Sequence, residues 1–375
     1  MPKNKKKVIS VFGTRPEAIK MAPVIKELKK NPHFTSRVIV TGQHRQMLDQ
    51  VLEIFKIKPD YDLNIMQPEQ TLSQVTMRIL GKIEEVFAKE EPDLVLVQGD
   101  TTTALVGALA AFYQKIPVGH IESGLRTYSQ YDPFPEEMNR QLLDVIADYY
   151  FAPTELNRQN LLKEGKDLKK IFVTGNTVID ALLEVANRDT PFKDKRLESV
   201  NFKDSRVILV TTHRRENIGQ FMEQIHRAVR RVVNDHEDVE VVFPVHLNPV
   251  VQRTAKRILG EHPRIHLVDP LDYEDLVGVM KQSHFIMTDS GGLQEEAPAL
   301  DKPVLVLRRE TERQEGVEAG TLILAGVEEE EVYNSAKRLL VDRSYYAATS
   351  SSRNPYGDGK SAARIISCIG KEWGL

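Results

Sequence analysis

Alternation constrains this chain more than any other feature. Short apolar runs of strand length take turns with helical patterns from one end to the other. In the first half, Val8–Phe12, Arg37–Thr41, Leu94–Gln98, Pro117–Ile121 and Tyr149–Pro153 read as strands. Between them lie helical stretches at Ala18–Lys29, around Gln46–Phe55, at Thr71–Lys89 and at Ala104–Gln114. After Ile171–Val173 the pattern restarts, with strands at Val207–Thr211, Glu240–Pro244, Ile265–Val268, Phe285–Met287, Val304–Leu307 and Thr321–Leu324. Thr190–Ser205 is polar and aperiodic and reads as a loop, and a last helix runs from about Lys360 to Trp373. Strands alternating with helices imply parallel sheets with right-handed crossovers. A chain of 375 residues has room for two such cores. The expectation is two doubly wound α/β domains, residues 1–174 and 175–359.

In open parallel sheets, ligands bind beyond the C-terminal strand ends. Unusual polar residues fall at those ends in both halves: Arg15, Asp100, Glu122, His213, His246 and Ser290. Six of them in two sheets point to a shared cleft between facing domains, although any one alone reads equally as a helix cap or ion-pair partner. The stretch from Phe285 to Leu300 is the most specific. A strand leads into Ser290-Gly291-Gly292 and then a helix start, so backbone amides can approach an anion closely and Ser290 adds a hydroxyl donor. Glu296 is placed for the hydroxyls of an attached ribose. Taken alone, the glycine pair also suits a plain chain reversal. Arg15 and Lys20 at the first turn can neutralise phosphates or orient carboxylates. Thr212-His213-Arg214-Arg215 brings a histidine and two arginines to a strand end, and Arg308, Arg309, Glu312 and Arg313 form a further polar cluster.

Composition removes several classes. The 51 basic and 54 acidic residues nearly balance, which leaves no signature of a nucleic-acid or membrane surface. The lone Cys368 excludes an internal disulfide and a cysteine metal cluster, and suits a reducing cytosol. Pro2–Lys7 reads as a solvated tail, and no apolar run reaches spanning length. Gly13-Thr14-Arg15-Pro16-Glu17 puts Arg and Pro where a dinucleotide needs glycines, which argues against a nicotinamide cofactor. There is no Gly-Lys-Ser/Thr phosphate loop and no His-Glu-x-x-His metal helix. A cytoplasmic enzyme with no cofactor and no metal is the expectation.

A run of motifs closely resembles the non-hydrolysing UDP-N-acetylglucosamine 2-epimerases. They are FGTRPEAIKMAP at 12–23, GQHRQMLDQ at 42–50, QGDTTT at 98–103, GHIESGLRT at 119–127 and PFPEEMNRQ at 133–141. TGNTVIDAL at 174–182, THRREN at 212–217, PVHLNP at 244–249, TDSGGLQEEAP at 288–298 and NPYGDG at 354–359 follow in order. The resemblance implies the glycosyltransferase-B architecture, with the last helix, 360–375, packing back on the first domain. It implies UDP-sugar contacts at Arg15, Lys20, Asp100, Glu122, His213, Ser290, Gly291, Gly292, Glu296 and Arg313. Acid/base carboxylates match Asp100, Glu122 and Glu136, with His213 at the diphosphate. Where many members carry an aromatic residue, this chain has Leu276, which packs on a uracil without ring stacking. The resemblance also implies a homodimer, and a second UDP-N-acetylglucosamine bound as activator at Gln43, Gln46, Gln70, Glu136, Arg214 and His246.

The C2 hydrogen of such a sugar is not next to a carbonyl, so no side chain can simply remove it. Either a nicotinamide oxidises the sugar transiently, or UDP leaves C1 and makes the C2 hydrogen acidic. The missing glycine fingerprint favours elimination through a 2-acetamidoglucal and re-addition of UDP. That route needs a grip on the diphosphate and carboxylates that can take and return a proton. The expected reaction is reversible conversion to UDP-N-acetylmannosamine, supplying N-acetylmannosamine units for cell-surface polysaccharide. A hydrolysing epimerase that frees N-acetylmannosamine, a glycosyltransferase of the same fold and a sugar-nucleotide-binding regulator are the alternatives.

Overall fold

The computed structural model describes residues 5–42, 45–67, 69–188 and 190–375, those at 45 and 46 by backbone alone. It divides into two compact units, Met1–Ala181 joined by Tyr356–Leu375, and Leu182–Pro355. Among the described residues no helix is long and apolar enough to cross a membrane.

The first unit is built on strands β1 (Lys6–Phe12), β2 (Phe34–Val40), β3 (Tyr61–Asp62), β4 (Leu94–Gln98), β5 (Val118–Ile121), β6 (Tyr149–Ala152) and β7 (Ile171–Val173). All pair in parallel, in the order β3-β2-β1-β4-β5-β6-β7. Helices α1 (Arg15–Lys30), α2 (Arg45–Ile54), α3 (Leu72–Glu90), α4 (Thr102–Tyr113), α5 (Glu136–Ile146) and α6 (Glu155–Lys163) connect and cover them, and α7 (Thr177–Ala186) starts in this unit and ends in the second. Val8 to Phe12 are all buried, apolar on both faces apart from Ser10, because helices cover both faces of the sheet. Ile9, Val11, Val95 and Val97 pack with Ile79, Ile83, Phe87, Ala104 and Ala108 in one core. Each such aliphatic side chain contributes about 1.5–3 kcal/mol on burial.

Helix α1 begins at Arg15, earlier than the apolar periodicity from Ala18 suggests. Thr14 and Glu17 form a capping box, and Pro16 lies in the first turn, where its missing N–H costs nothing. Strand β3 is two residues long and leaves no periodicity to read.

The second unit carries β8 (Arg206–Thr211), β9 (Val239–Pro244), β10 (Ile265–Val268), β11 (Phe285–Thr288), β12 (Val304–Val306) and β13 (Leu322–Leu324), again all parallel, ordered β10-β9-β8-β11-β12-β13. Its helices are α8 (Gln220–Asp235), α9 (Pro249–Leu259), α10 (Tyr273–Gln282), α11 (Gly291–Glu296), α12 (Gln314–Glu318), α13 (Glu329–Val341) and α14 (Arg343–Ser350). Ile208, Phe243, Phe285 and Met287 meet Ile225, Val229, Val332 and Leu339 in its core. The stretch read as a loop holds a short 3-10 turn at Lys195–Ser199, and the amides of Lys193 and Asp194 donate to Asp275 at 2.9 Å each.

The last helix, α15 (Ser361–Glu372), belongs to the first unit. Asp180 accepts the amides of Ser361 (3.1 Å) and Ala362 (2.8 Å), and Trp373 packs against Phe34 with ring centroids 6.0 Å apart. In both sheets the strand order reverses at one place, between β1 and β4 and between β8 and β11. Such switch points open a crevice at the C-terminal strand ends.

Close packing at the first switch point makes a stability prediction. A Cβ on Gly13 would lie 2.0 Å from Thr41 Oγ1 and 2.6 Å from Thr103 Oγ1, whereas one on Gly81, inside α3, meets nothing within 4 Å. Gly13→Ala is therefore expected to destabilise by about 1–3 kcal/mol. Gly81→Ala is expected to stabilise by roughly 0.5–1 kcal/mol. Denaturant midpoints check both, and a Gly13→Ala midpoint at or above that of the wild type contradicts this packing.

Candidate functional site

In the first unit the polar residues collect where β4 and β5 end. Gly99, with φ +68°, turns the chain out of β4 and presents Asp100, while Glu122 follows β5 directly with φ 67°. Left-handed backbone is unusual for a non-glycine residue and marks a position held by its surroundings. Donors from several elements hold the Glu122 carboxylate. Lys20 Nζ lies 2.5 and 2.7 Å from its two oxygens, Asn176 Nδ2 donates at 3.0 Å, and Gln98 Nε2 also donates. Lys20 comes from α1, Gln98 from β4, and Asn176 from the turn before α7.

Asp100 pairs with Arg140 of α5 at 2.9 Å, and its carbonyl accepts from Asn139 at 2.8 Å. Arg140 also approaches Glu137 at 3.4 Å. Burial pushes the Asp100 carboxyl above the usual aspartate range. Arg140 and Lys20 oppose that rise, and the negative charges of Glu122 and Glu136 add to it. Glu136 opens α5 and is half-buried. Asp100, Glu122 and Glu136 therefore form one electrostatic group, with Lys20 and Arg140 as its cations. Arg15, half-buried, is the first residue of α1.

Beneath this group the turn after β1 is fixed to the turn after β4. Buried Glu17 accepts the amides of Gly13 (3.0 Å) and Thr14 (2.8 Å), and the Thr101 hydroxyl at 2.6 Å. Burial raises the Glu17 carboxyl above its ordinary value despite these bonds.

In the second unit an analogous carboxylate spans the other switch point. Asp289, fully buried, follows β11 and accepts the amides of His213 (2.9 Å) and Arg214 (2.9 Å) and the Asn217 side chain (3.2 Å). The His213 ring lies 3.3 Å from the same carboxylate and stacks on His246, with centroids 5.6 Å apart. Burial lowers the affinity of His213 for a second proton; Asp289 opposes this and His246 adds to it.

Ser290 caps α11 without a side-chain cap bond, and Gly291 lies under Arg313, whose guanidinium carbon is 3.1 Å from where a Cβ would stand. Arg313 is held by Glu295 at 2.9 Å and by Glu312. Burial acts to raise the Glu312 carboxyl, but Arg313 and Arg308 outweigh it and bring it down to about 2. Gly292 lies beside Glu296, which accepts the Tyr273 hydroxyl at 3.0 Å. Leu276 is half-buried on α10.

Of the residues assigned to a second ligand, Gln43 and the side chain of Gln46 lie outside the described residues. Gln70 accepts from Arg78 at 2.7 Å in the first unit. In the second, Arg214 and His246 flank His213, and Arg214 Nε donates to the Asp289 carbonyl at 3.3 Å. Sequence reading missed Gln98, Asn176, Arg140, Glu17 and Asp289, whereas Glu312 stood in the polar cluster read after Leu307. Two of them carried a signal: Arg140 falls one helical turn after Glu136, and Asp289 stands directly before Ser290.

Comparison with known proteins gives a concordant result. The family model described as UDP-N-acetylglucosamine 2-epimerase matches residues 26–370. The UDP-N-acetylglucosamine 2-epimerase of Bacillus subtilis (strain 168) is 56% identical over 362 residues, covering 96% of this chain and 94% of that protein. The enzyme of that name from Escherichia coli (strain K12) is 52% identical over 370 residues, covering 97% and 98%. The crystal structure of UDP-GlcNAc 2-epimerase from Neisseria meningitidis bound to UDP-GlcNAc is 48% identical, with a TM-score of 0.89 and coverage of 97% and 100%.

The charges around Asp100 set its titration. Followed by carboxyl-carbon NMR, Asp100 is expected to titrate above the ordinary aspartate range. Removing its main cation with Arg140→Gln is expected to move that titration higher still. A downward move in the variant contradicts the electrostatic grouping.

Proposed function

The chain belongs to the UDP-N-acetylglucosamine 2-epimerase family, and from that premise we infer that it epimerises UDP-N-acetylglucosamine at C2. The observation that carries the chemistry is the coupled group at the ends of β4 and β5. Asp100 is pushed towards holding a proton, with Glu122 and Glu136 adding to its affinity and Lys20 and Arg140 balancing them. A carboxyl that is pushed towards holding a proton, set beside further carboxylates, can give a proton to one face of a carbon while a neighbour takes one from the other.

The route is elimination and re-addition. The C1–oxygen bond breaks with its electron pair leaving on UDP, and a carboxylate takes the C2 proton, which forms a 2-acetamidoglucal. Return of a proton to the opposite face of C2 and of UDP to C1 gives UDP-N-acetylmannosamine. Departure of UDP needs charge stabilisation at the diphosphate. In this reading His213, Ser290, the amides of Gly291 and Gly292, Arg15 and Arg313 supply it, Glu296 takes the ribose and Leu276 packs on the uracil. Lys20 orients Glu122 through the pair already formed. The product supplies N-acetylmannosamine units for cell-surface polysaccharide.

We also read Gln43, Gln46, Gln70, Glu136, Arg214 and His246 as contacts for a second, activating molecule of the substrate. The protein is read as a cytoplasmic homodimer, to which the exposed Met77, Phe112 and Tyr113 on α3 and α4 lend an apolar surface.

One NMR experiment in deuterated water tests the reading. Added UDP-N-acetylglucosamine should epimerise with no nicotinamide, and the product should carry deuterium at C2. Asp100→Asn, Glu122→Gln and Glu136→Gln should each lower turnover by ~10²–10⁴. UDP affinity should fall in His213→Ala and stay level in those three. Started from UDP-N-acetylmannosamine, the reaction should lag until a trace of the other epimer is added. Retention of the original C2 hydrogen defeats the elimination route, and free N-acetylmannosamine appearing with UDP replaces it by the hydrolysing one.

A further inference from the structure

His120 has no part in the chemistry above, yet it is fully buried on β5 between the two turns that carry Asp100 and Glu122. Its Nε2 lies 2.8 Å from the carbonyl oxygen of Gly99. A carbonyl only accepts, so Nε2 carries a hydrogen and donates it there. Its Nδ1 lies 2.6 Å from Asp144 Oδ1. The other Asp144 oxygen accepts Arg126 Nη2 at 2.7 Å and the Gly124 amide at 3.2 Å. Burial pushes Asp144 up, but His120 and Arg126 outweigh it and hold the carboxyl below the usual range. Arg126 passes the chain on to Glu164 at 2.7 Å. Both ends of the ring are therefore fixed.

What the ring fixes is the catalytic turn. The Gly99 carbonyl belongs to the left-handed residue that aims Asp100, and the Gly99 amide donates to Ile121 at 2.9 Å, one residue before Glu122. A β5 side chain thus grips the β4 turn from the strand that also delivers Glu122. Packing alone gives no reason for this arrangement, because charged groups in a core cost more to desolvate than an apolar side chain of the same size.

We propose that His120 is a positioning residue that holds Asp100 and Glu122 at their working separation through the Gly99 carbonyl, with Asp144 and Arg126 orienting its ring. The inference rests on the epimerase reading. It deepens that reading by naming the group that sets the geometry of the acid/base pair.

Two amide variants separate positioning from bulk stability. In His120→Gln the amide nitrogen can reach the place of Nε2 and keep the bond to Gly99. In His120→Asn it reaches only the place of Nδ1 and keeps the bond to Asp144. Epimerisation of UDP-N-acetylglucosamine, UDP affinity and Tm are measured for both beside the wild type. His120→Gln should keep kcat within about tenfold, whereas His120→Asn should lose about a hundredfold or more, the scale of an ångström-sized misplacement. KM and UDP affinity should change little in either. Near-normal kcat in His120→Asn, or equal losses in both variants that follow their Tm, overturns the proposal. If only His120→Gln folds, its kcat decides: within tenfold supports positioning, and a hundredfold loss at unchanged Tm refutes it. An inactive wild type would instead remove the epimerase reading itself.

Discussion

At the C-terminal edge of the first sheet, side chains from three separate elements converge on the carboxylate of Glu122. A non-glycine residue in the left-handed region costs about 1–2 kcal/mol, and Glu122 pays that at the end of a buried strand. Its surroundings over-determine the conformation. Lys20, Gln98 and Asn176 converge on one carboxylate from the first helix, the neighbouring strand and the turn before α7. Removing Glu122 would leave Lys20, only 18% exposed at its side chain, without the carboxylate it now faces at 2.5 Å. The same carboxylate raises the proton affinity of Asp100, so the group that gathers these side chains also tunes the chemistry.

The two units solve one problem in the same way. At each switch point two neighbouring strand ends must be kept in register where no ladder bonds remain. In the first unit Glu17 joins the turns after β1 and β4, and in the second Asp289 joins those after β8 and β11. Both accept backbone amides, which satisfies donors that would otherwise be buried and unpaired. The outcomes differ because the side chains above differ. Carboxylates dominate in the first unit, whereas in the second His213 and Arg214 gather on Asp289 and Arg313 lies over Gly291. The first set suits proton transfer and the second suits an anion.

The strands and the polar residues at their ends were legible in the sequence because apolar runs of strand length stop abruptly at Asp100, Glu122, His213 and Ser290. The partners of those residues were not. Asn176 reaches Glu122 across a separation of 54 residues, and Gln98 across 24, distances over which no periodicity speaks. Arg140 was hidden inside a motif read for its glutamates. The true start of α1 was masked by Arg15 and Pro16, which look like loop residues until the Thr14–Glu17 capping box is recognised. Strand β3 was invisible because two residues at a sheet edge need no apolar pattern.

In the proposed reaction the bond between C1 and the diphosphate oxygen breaks and re-forms while carboxylates of the first unit handle the proton. Positional isotope exchange addresses that bond directly. UDP-N-acetylglucosamine carrying oxygen-18 in the C1–oxygen–phosphorus bridge is incubated with the protein and recovered. If UDP departs and returns, its terminal phosphate rotates between the two events and the label spreads into the non-bridging oxygens, visible as a shift in the phosphorus NMR signal. Scrambling is expected to accompany epimerisation. Full conversion to the epimeric mixture with all the label still in the bridge would rule out departure and return of UDP.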